Sequence, residues 1–363
     1  MSLIKVKSRG TDNVVSGRRN LIINGAMQIA QRGTSATGIG VTPAYNTVDR
    51  WRFGDANNPT GRFTQTQSTD APEGFGFSHK FEVTTIDGGP EDNEMQFTDQ
   101  FIEAQNLQHL KYGTSNAESV TLSFYVKSSV ASTMGVRFSH EDGGGSYGAS
   151  YTINSVNTWE RKSITVPGNT ATAINNDNER GMSIRFGLTV GANNTGSNST
   201  AWGNGNIFGT HTNTFVGTSG ATWQITGVQL EVGSSATDFE HRSFAEELTL
   251  CMRYFQKFTA QSRYSPEVFR GTNGNVADTN KKLLGVPMRA ASTGTPSSGT
   301  VRYFSALNST ANGQHTDDMT VNGVEDGQGY KIRISNADTV SNNEMFIAGN
   351  YSAGVVAELD AEL

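Results

Sequence analysis

The sequence predicts a mainly β protein: a jelly-roll-like antiparallel β-sandwich over 21–240, one linking helix over 241–262 and a small C-terminal antiparallel β domain over 263–363, preceded by an arm over 1–20. Three observations lead there. Apolar and polar residues alternate in short runs, the two-residue period of half-buried strands. Glycine supplies 41 of 363 residues, about 11% against an average near 7%, and Ser, Thr, Asn and Asp fill much of the rest, as turns between short strands require. A single stretch changes to a helical period.

Residues 1–20 carry Lys5, Lys7, Arg9, Arg18 and Arg19 and no hydrophobic period. They read either as a loosely ordered arm or as an attachment segment that orders on a partner. In VTLSFYVK, Val120, Leu122, Phe124 and Val126 take one face and Thr121, Ser123, Tyr125 and Lys127 the other. SIRFGLTV repeats this with Ile184, Phe186, Leu188 and Val190, and KSITV offers Ile164 and Val166. Three such strands imply a sandwich or barrel rather than a doubly wound sheet. In WQITGVQLEV the apolar phase slips by one residue at Thr226-Gly227, which a β-bulge with glycine at the extra position absorbs.

The helix opens with a capping box, Ser243 with Glu246, and Glu246-Glu247 place negative charge in its first turn. Phe244, Leu248, Cys251, Phe255 and Phe258 recur at steps of four and three, the spacing of one apolar stripe, with Cys251 as a buried small hydrophobe. Beyond Pro266, the runs VRYF, MTVNGVED and YKIRIS return to period two. Asn322-Gly323 is expected as a two-residue hairpin turn, with Tyr330, Ile332 and Ile334 inward.

Charge and composition exclude several classes. The net charge is −6 with Lys and Arg scattered singly, so no basic stripe is available to neutralise a phosphate backbone and nucleic acid is not an expected partner. No apolar run reaches the length of a membrane span and the N-terminus lacks the apolar core of a secretory signal, so no membrane insertion is expected. One cysteine excludes an internal disulfide and a cysteine zinc site, and fits synthesis in a reducing cytoplasm.

NLIINGAMQIAQRG (20–33), VDRWRF (48–53), ITGVQLEVGSSATDFEHRSFAEELTLCMRYFQKF (225–258) and the closing VAELDAEL resemble a family of phage tail-fibre and related virion proteins. The family shares an Asn-Leu-Ile-Ile-Asn-Gly opening, an Asp-Arg-Trp and a Gln-Leu-Glu-x-Gly, Ala-Thr, Phe-Glu, Arg, Glu-Glu-Leu, Cys, Arg-Tyr string in this order. The resemblance implies a structural role and a sandwich similar to carbohydrate-binding modules. Met27-Gln28 stand where many relatives have Phe-Glu or Phe-Asp, which speaks against a structural Ca²⁺ between the first and last strands. No stalk-like repeat is present, so a short fibre, a fibre tip or a head decoration fits better than a complete fibre.

Candidate sites are few. The six histidines, at 79, 109, 140, 211, 241 and 315, show no metal-ligand spacing, and no cofactor motif or GxSxG elbow occurs. Carboxylates cluster at Asp87 to Glu94, at Glu141-Asp142 and at Asp317-Asp318, in turn-rich sequence that suits solvated loops more than a pair of glycosidase acids. Asp49-Arg50-Trp51 reads as core plus a partly buried ion pair. The long polar loop 191–222 is interrupted by Trp202, Phe208 and Phe215. Aromatics on such a loop suit either the C–H faces of a sugar or a neighbouring subunit.

Together these readings predict a non-enzymatic phage virion protein, a tail fibre or fibre tip that contacts host surface glycans, with Trp202, Phe208 and Phe215 as contacts to glycan or to a neighbouring subunit. Head decoration without host contact is the alternative, and a polysaccharide depolymerase is disfavoured. Expected partners are two further copies in a homotrimer, other virion proteins through the N-terminal arm, and host surface polysaccharide; no cofactor or metal is expected.

Overall fold

The computed structural model describes residues 19–203, 205 and 207–259, and beyond them the strands between 267 and 360 together with Val286, Met288, Arg289, Ala361 and Glu362. Arm residues 1–18, the Asp317-Asp318 pair and the side chains of Phe258, Tyr330, Ile332 and Ile334 lie outside the described residues.

Eleven strands come first: β1 (Ser35–Ile39), β2 (Arg52–Ala56), β3 (Arg62–Ser68), β4 (Ser78–Thr85), β5 (Met95–Glu103), β6 (Val120–Ser128), β7 (Thr133–His140), β8 (Gly145–Thr152), β9 (Glu160–Val166), β10 (Arg180–Val190) and β11 (Thr222–Val232). They form a six-stranded sheet in the order β1-β3-β4-β11-β6-β9 and a five-stranded sheet in the order β2-β5-β10-β7-β8, antiparallel at each pairing. The chain crosses repeatedly between sheets, as in a jelly roll. Their inner faces share one apolar core. Phe186 of the five-stranded sheet sits 6.1 Å from Trp51, 6.1 Å from Trp223 and 5.2 Å from Phe124, ring centre to ring centre. All four are fully buried, each worth roughly 1.5–3 kcal/mol of transfer free energy.

The period-two expectation for β6 holds, since Val120, Leu122, Phe124 and Val126 are 0% exposed. Thr121 and Ser123 are buried as well, because the chain after β11 folds back over the outer face: Thr121 Oγ1 donates to the Gly233 carbonyl at 2.8 Å. The bulge also lies where the phase slip places it. Thr226 pairs with Tyr125 and Gln229 with Ser123, and Gly227 takes the left-handed φ of 59° that the extra residue requires. The Asn20 side chain occupies the gap. Its Nδ2 donates to the Val228 carbonyl at 3.0 Å and its Oδ1 accepts from the Leu230 amide at 3.0 Å.

Asn20 belongs to a stretch that is buried from 20 to 27 yet is part of no strand. A buried backbone without a ladder must find partners elsewhere. Gln100 accepts from the Ile23 amide and donates to its carbonyl, both at 2.8 Å. Glu240 accepts from the amide of Asn20 at 2.9 Å and Glu247 from that of Asn24 at 2.5 Å. Arg242 donates to the carbonyls of Asn20 and Ile22. The Asn24 side chain closes its own turn, bonding both the amide and the carbonyl of Ile29. Gly25 lies so close to β11 that a Cβ would meet the Val228 carbonyl oxygen at 2.1 Å.

Helix α1 spans Phe244–Met252, shorter than the expected 241–262. Its cap forms as expected: Ser243 Oγ accepts from the Glu246 amide at 3.2 Å. The five-residue stripe does not. Phe244 is 60% exposed, and Phe255 and Phe258 belong to β12 (Phe255–Thr259). Leu248, Leu250, Cys251 and Tyr254 pack on Ile23, Ile29 and Phe101. The backbone of Phe255–Thr259 instead pairs with the last strand of the chain, a long-range ladder that overrides a local helical period.

The C-terminal strands are β13 (Glu267–Asn273), β14 (Val276–Thr279), β15 (Lys282–Leu283), β16 (Thr293–Pro296), β17 (Val301–Ser305), β18 (Ala311–His315), β19 (Met319–Gly323), β20 (Gly329–Ile334), β21 (Met345–Asn350) and β22 (Val356–Asp360). They join β12 in one antiparallel sheet ordered β12-β22-β16-β19-β20-β14-β13-β21-β17-β18, with β15 beside β20. Asn322-Gly323 is not the hairpin turn. Both residues are paired within β19, to Lys331 and Tyr330. Glu362, beyond β22, pairs with Arg50. Arg50 is 0% exposed, donates to the Phe101 carbonyl at 2.7 Å and stacks 3.4 Å over Tyr254. Asp49, its sequence neighbour, instead accepts from Gln31.

Replacing Arg242 by methionine leaves two carbonyls without their donor and the Glu247 carboxylate without its cation. Urea unfolding followed by tryptophan fluorescence is expected to lose about 3–5 kcal/mol, while Arg19→Met, at a side chain 45% exposed, changes it by less than about 1 kcal/mol.

Candidate functional site

The long loop 191–222 is a roof, not a free arm. Residues 207–211 lie on the outer face of the five-stranded sheet, and strand glycines make the room. A Cβ on Gly135 would come 2.4 Å from the Phe208 carbonyl oxygen, and one on Gly148 2.5 Å from that of Ile207. Phe208 packs on Phe97 and Val190 beneath the roof, and Phe215 stacks on Phe63 at 5.9 Å in the core. Both are 0% exposed, so they are corrected from candidate contacts to interior residues. In a loop with so little apolar surface, burying each ring contributes roughly 1.5–3 kcal/mol to holding the loop down.

Trp202 is half-buried. Its Nε1 donates to the Pro167 carbonyl at 2.7 Å, and its ring meets Tyr112, Tyr147 and His140 at 5.9, 6.1 and 6.3 Å. It anchors the roof at one end of the sandwich, where Gly203 pairs with Ser146 and Gly205 runs along the rim of a cavity.

Beside the roof a cross-strand row runs over the same face. Arg52 of β2 pairs with Asp99 of β5, Asp99 with Arg185 of β10, Arg185 with Arg137 of β7, and Arg137 with Gly148 of β8. Asp99 binds Arg52 through two hydrogen bonds, at 3.0 and 2.8 Å, and Arg185 reaches Asp99 at 3.5 Å and Glu141 at 3.0 Å. Arg137 has neither a hydrogen-bond acceptor nor an ion-pair partner among the described residues, and is only 8% exposed.

Arg137, Ser139, His140, Glu141, Gly143, Gly145 and Gly205 line a solvent-open cavity of about 250 Å³. Arg137 Nε and Ser139 Oγ are both buried without a partner. His140 Nδ1 accepts from the Gly144 amide at 3.3 Å, which puts the ring proton of the neutral form on Nε2. The cavity thus presents a guanidinium and a hydroxyl, each without a partner among the described residues, while the His140 ring lies against the backbone of Gly144 and Thr172 and stacks on Tyr112. Burial lowers the His140 pKa, keeping the ring neutral near pH 7.

The outer face of the six-stranded sheet offers a second polar cluster, and it is closed on itself. Asp70 accepts from Lys127 at 2.8 Å, from Gln224 at 3.1 Å and from the Trp159 indole at 3.2 Å. Other carboxylates also have structural tasks: Glu141 accepts from Ser183 and Arg185, Asp142 from Asn175, and Glu94 from the Glu91 amide. Among the described residues no group of three or more His, Cys, Asp and Glu is placed to hold a metal ion, and no helix is long and apolar enough to cross a membrane. Sequence reading missed Arg137 although a signal exists. GVRFS (135–139) and SIRFG (183–187) each carry an arginine at an outward strand position, but only the register shows the two opposite each other.

No protein-family model matches the chain, and no curated protein does. Among solved structures it is similar to the enzymatically active domain of tailspike protein 4 of bacteriophage CBA120, at 12% identity and a TM-score of 0.33 over 59% of this chain and 21% of that one. It is also similar to a CBM4 structure, at 14% identity and a TM-score of 0.33 over 58% and 98%, and to the family 11 carbohydrate-binding module of a cellulosomal cellulase of Clostridium thermocellum, at 12% and 0.28 over 55% and 99%. The chain therefore spans 21% of the length of the tailspike chain it matches. Likenesses this weak settle neither fold nor ligand, and the sandwich stands on its own sheets and core.

The roof carries a titratable clamp. His211 is buried, and its Nδ1 accepts from the Gly135 amide at 3.0 Å. Burial pushes its pKa down from 6.5 to about 4 and that of His79 to about 3. A depressed pKa means stability that is present above pH 6.5 and lost as the pH falls through the folded value, about 3 kcal/mol for His211 by pH 4. Asp49, raised to about 6 chiefly by burial, acts the other way: its contribution is present at low pH and lost as the pH rises through 6. His211→Asn keeps an acceptor for Gly135 without the titration. It is expected to make the melting temperature fall less steeply between pH 6.5 and 4; an unchanged slope would show that the clamp does not titrate.

Proposed function

We propose that this protein is a non-enzymatic component of a phage particle, a tail fibre or fibre tip whose β-sandwich holds a host-surface glycan in the cavity beside Arg137. One observation carries the glycan part: buried, uncommitted donors converge on a solvent-open cavity under an ordered loop. Folded proteins pair their buried polar groups almost without exception, and a ligand rich in hydroxyl acceptors is the partner such groups fit.

The phage part rests on the sequence resemblance. The matching residues of 20–24 and 229–254 bond to one another inside the fold, which supports kinship in architecture. The absence of catalysis is likewise part of the reading, supported by the engagement of Glu94, Glu141 and Asp142 in turns and ion pairs. A homotrimer joined to other virion proteins through residues 1–20 completes it.

Fluorescently labelled protein is expected to bind host cells and to lose that binding on mutants lacking surface polysaccharide. Ser139→Trp, which fills the cavity, is expected to reduce cell binding at least tenfold with the melting temperature little changed. Full binding by that variant would move the glycan site elsewhere, and no binding by the parent protein would favour a head-decoration role.

A further inference from the structure

The cross-strand row with Glu141 at its rim holds three arginines and two carboxylates. Asp99 and Glu141 offset two of Arg52, Arg185 and Arg137, and one positive charge remains. It resides on Arg137. Like charges directly opposite in a sheet repel, and Arg185, opposite Arg137, already has Asp99 and Glu141 within 3.5 and 3.0 Å. Asp142, the next carboxylate along the chain, points instead to the amide and side chain of Asn175 at 3.1 and 2.8 Å. Burial and then Arg185 lower the Arg137 pKa to about 10, which leaves the guanidinium charged at neutral pH. An unpaired buried cation is costly, and an anion entering from the cavity would offset it.

We infer that the cavity is selective for an oxyanion borne on a sugar, a uronate carboxylate or a sulfate or phosphate ester, held by Arg137 with Ser139 Oγ as a further donor. The inference rests on the reading of this cavity as the glycan site and names the class of glycan. Guanidinium binds planar and tetrahedral oxyanions through paired hydrogen bonds, which neutral hydroxyls match only weakly. A volume of about 250 Å³ is roughly eight times that of one water, which suits a sugar ring with its substituent rather than a small free anion. Glu141 on the rim disfavours a ligand that places its anion there, so the anionic group is directed to the Arg137 side.

Calorimetric titration at low ionic strength with D-glucuronate, D-glucose and inorganic sulfate tests this. Glucuronate is expected to bind at least tenfold more tightly than glucose, and Arg137→Met to abolish the difference. Arg137→Lys, which keeps the buried charge if the methionine variant fails to fold, is expected to weaken the anion several-fold by losing the planar fork. A preference for inorganic sulfate over glucuronate would show a site for a small free anion and overturn the sugar part of the inference. Equal affinity for all three probes, or an anion preference that survives both substitutions, would overturn the inference. If the anion preference holds but labelled protein ignores host cells, the oxyanion site stands and the host-attachment reading alone falls.

Discussion

Eight consecutive residues, 20 to 27, are buried without belonging to a strand, and satisfying their backbone constrains much of the molecule. Each unpaired buried amide or carbonyl would cost about 1–3 kcal/mol. The partners come from far along the chain: Gln100 in β5, Glu240 and Arg242 after β11, Glu247 in α1. One segment therefore sets the position of the helix against the sandwich. Arg242 acts twice, bonding two carbonyls of the segment and pairing with Glu247, which in turn holds the Asn24 amide. The same economy appears at Arg50, where a buried guanidinium gathers Glu362, the Phe101 carbonyl and the Tyr254 ring, tying the end of the chain to the first sandwich strands.

The two halves of the five-stranded sheet's outer face follow opposite rules. On one half Gly135, Gly148 and Gly187 have no side chain, so the roof loop lies close, and Phe208 and His211 are buried there with bonded backbones. On the other half the strands carry arginine and serine, and bonding is left incomplete at Arg137 and Ser139. Gly135 under the roof and Arg137 beside the cavity occur on the same strand two residues apart. A sheet alternates faces with a period of two, so Gly135, Arg137 and Ser139 share one face and mark out roof, charge and cavity in sequence.

Where local pattern and long-range pairing agree, the fold was legible in advance. The β6 alternation, the bulge at Gly227 and the Ser243 cap depend on neighbours within a few residues, and each formed as its sequence implies. Where they compete, the longer ladder prevailed. Phe255 and Phe258 fit a helical stripe, yet their backbone joins β22 about a hundred residues later. Phe208 and Phe215 look like exposed rings in a polar loop, yet the glycine notch and the Phe63 ring take them in. Nothing local to either phenylalanine encodes that reception.

The sequence by itself determined the mainly β class, the place of the helix, the capped helix start and the exclusion of disulfide chemistry, because each follows from periodicity, composition or near-neighbour bonding. It also marked Asp49-Arg50-Trp51 as core with an ion pair, though not that the partner is Glu362 rather than Asp49. Tertiary structure alone decided the candidate site. Arg137 becomes exceptional only when strand register sets it opposite Arg185, when Asp99 and Glu141 turn to Arg185, and when the loop carrying Gly205 encloses the space between. Charge balance in a buried row is a property of residues brought together across four strands, and no window along the chain contains them.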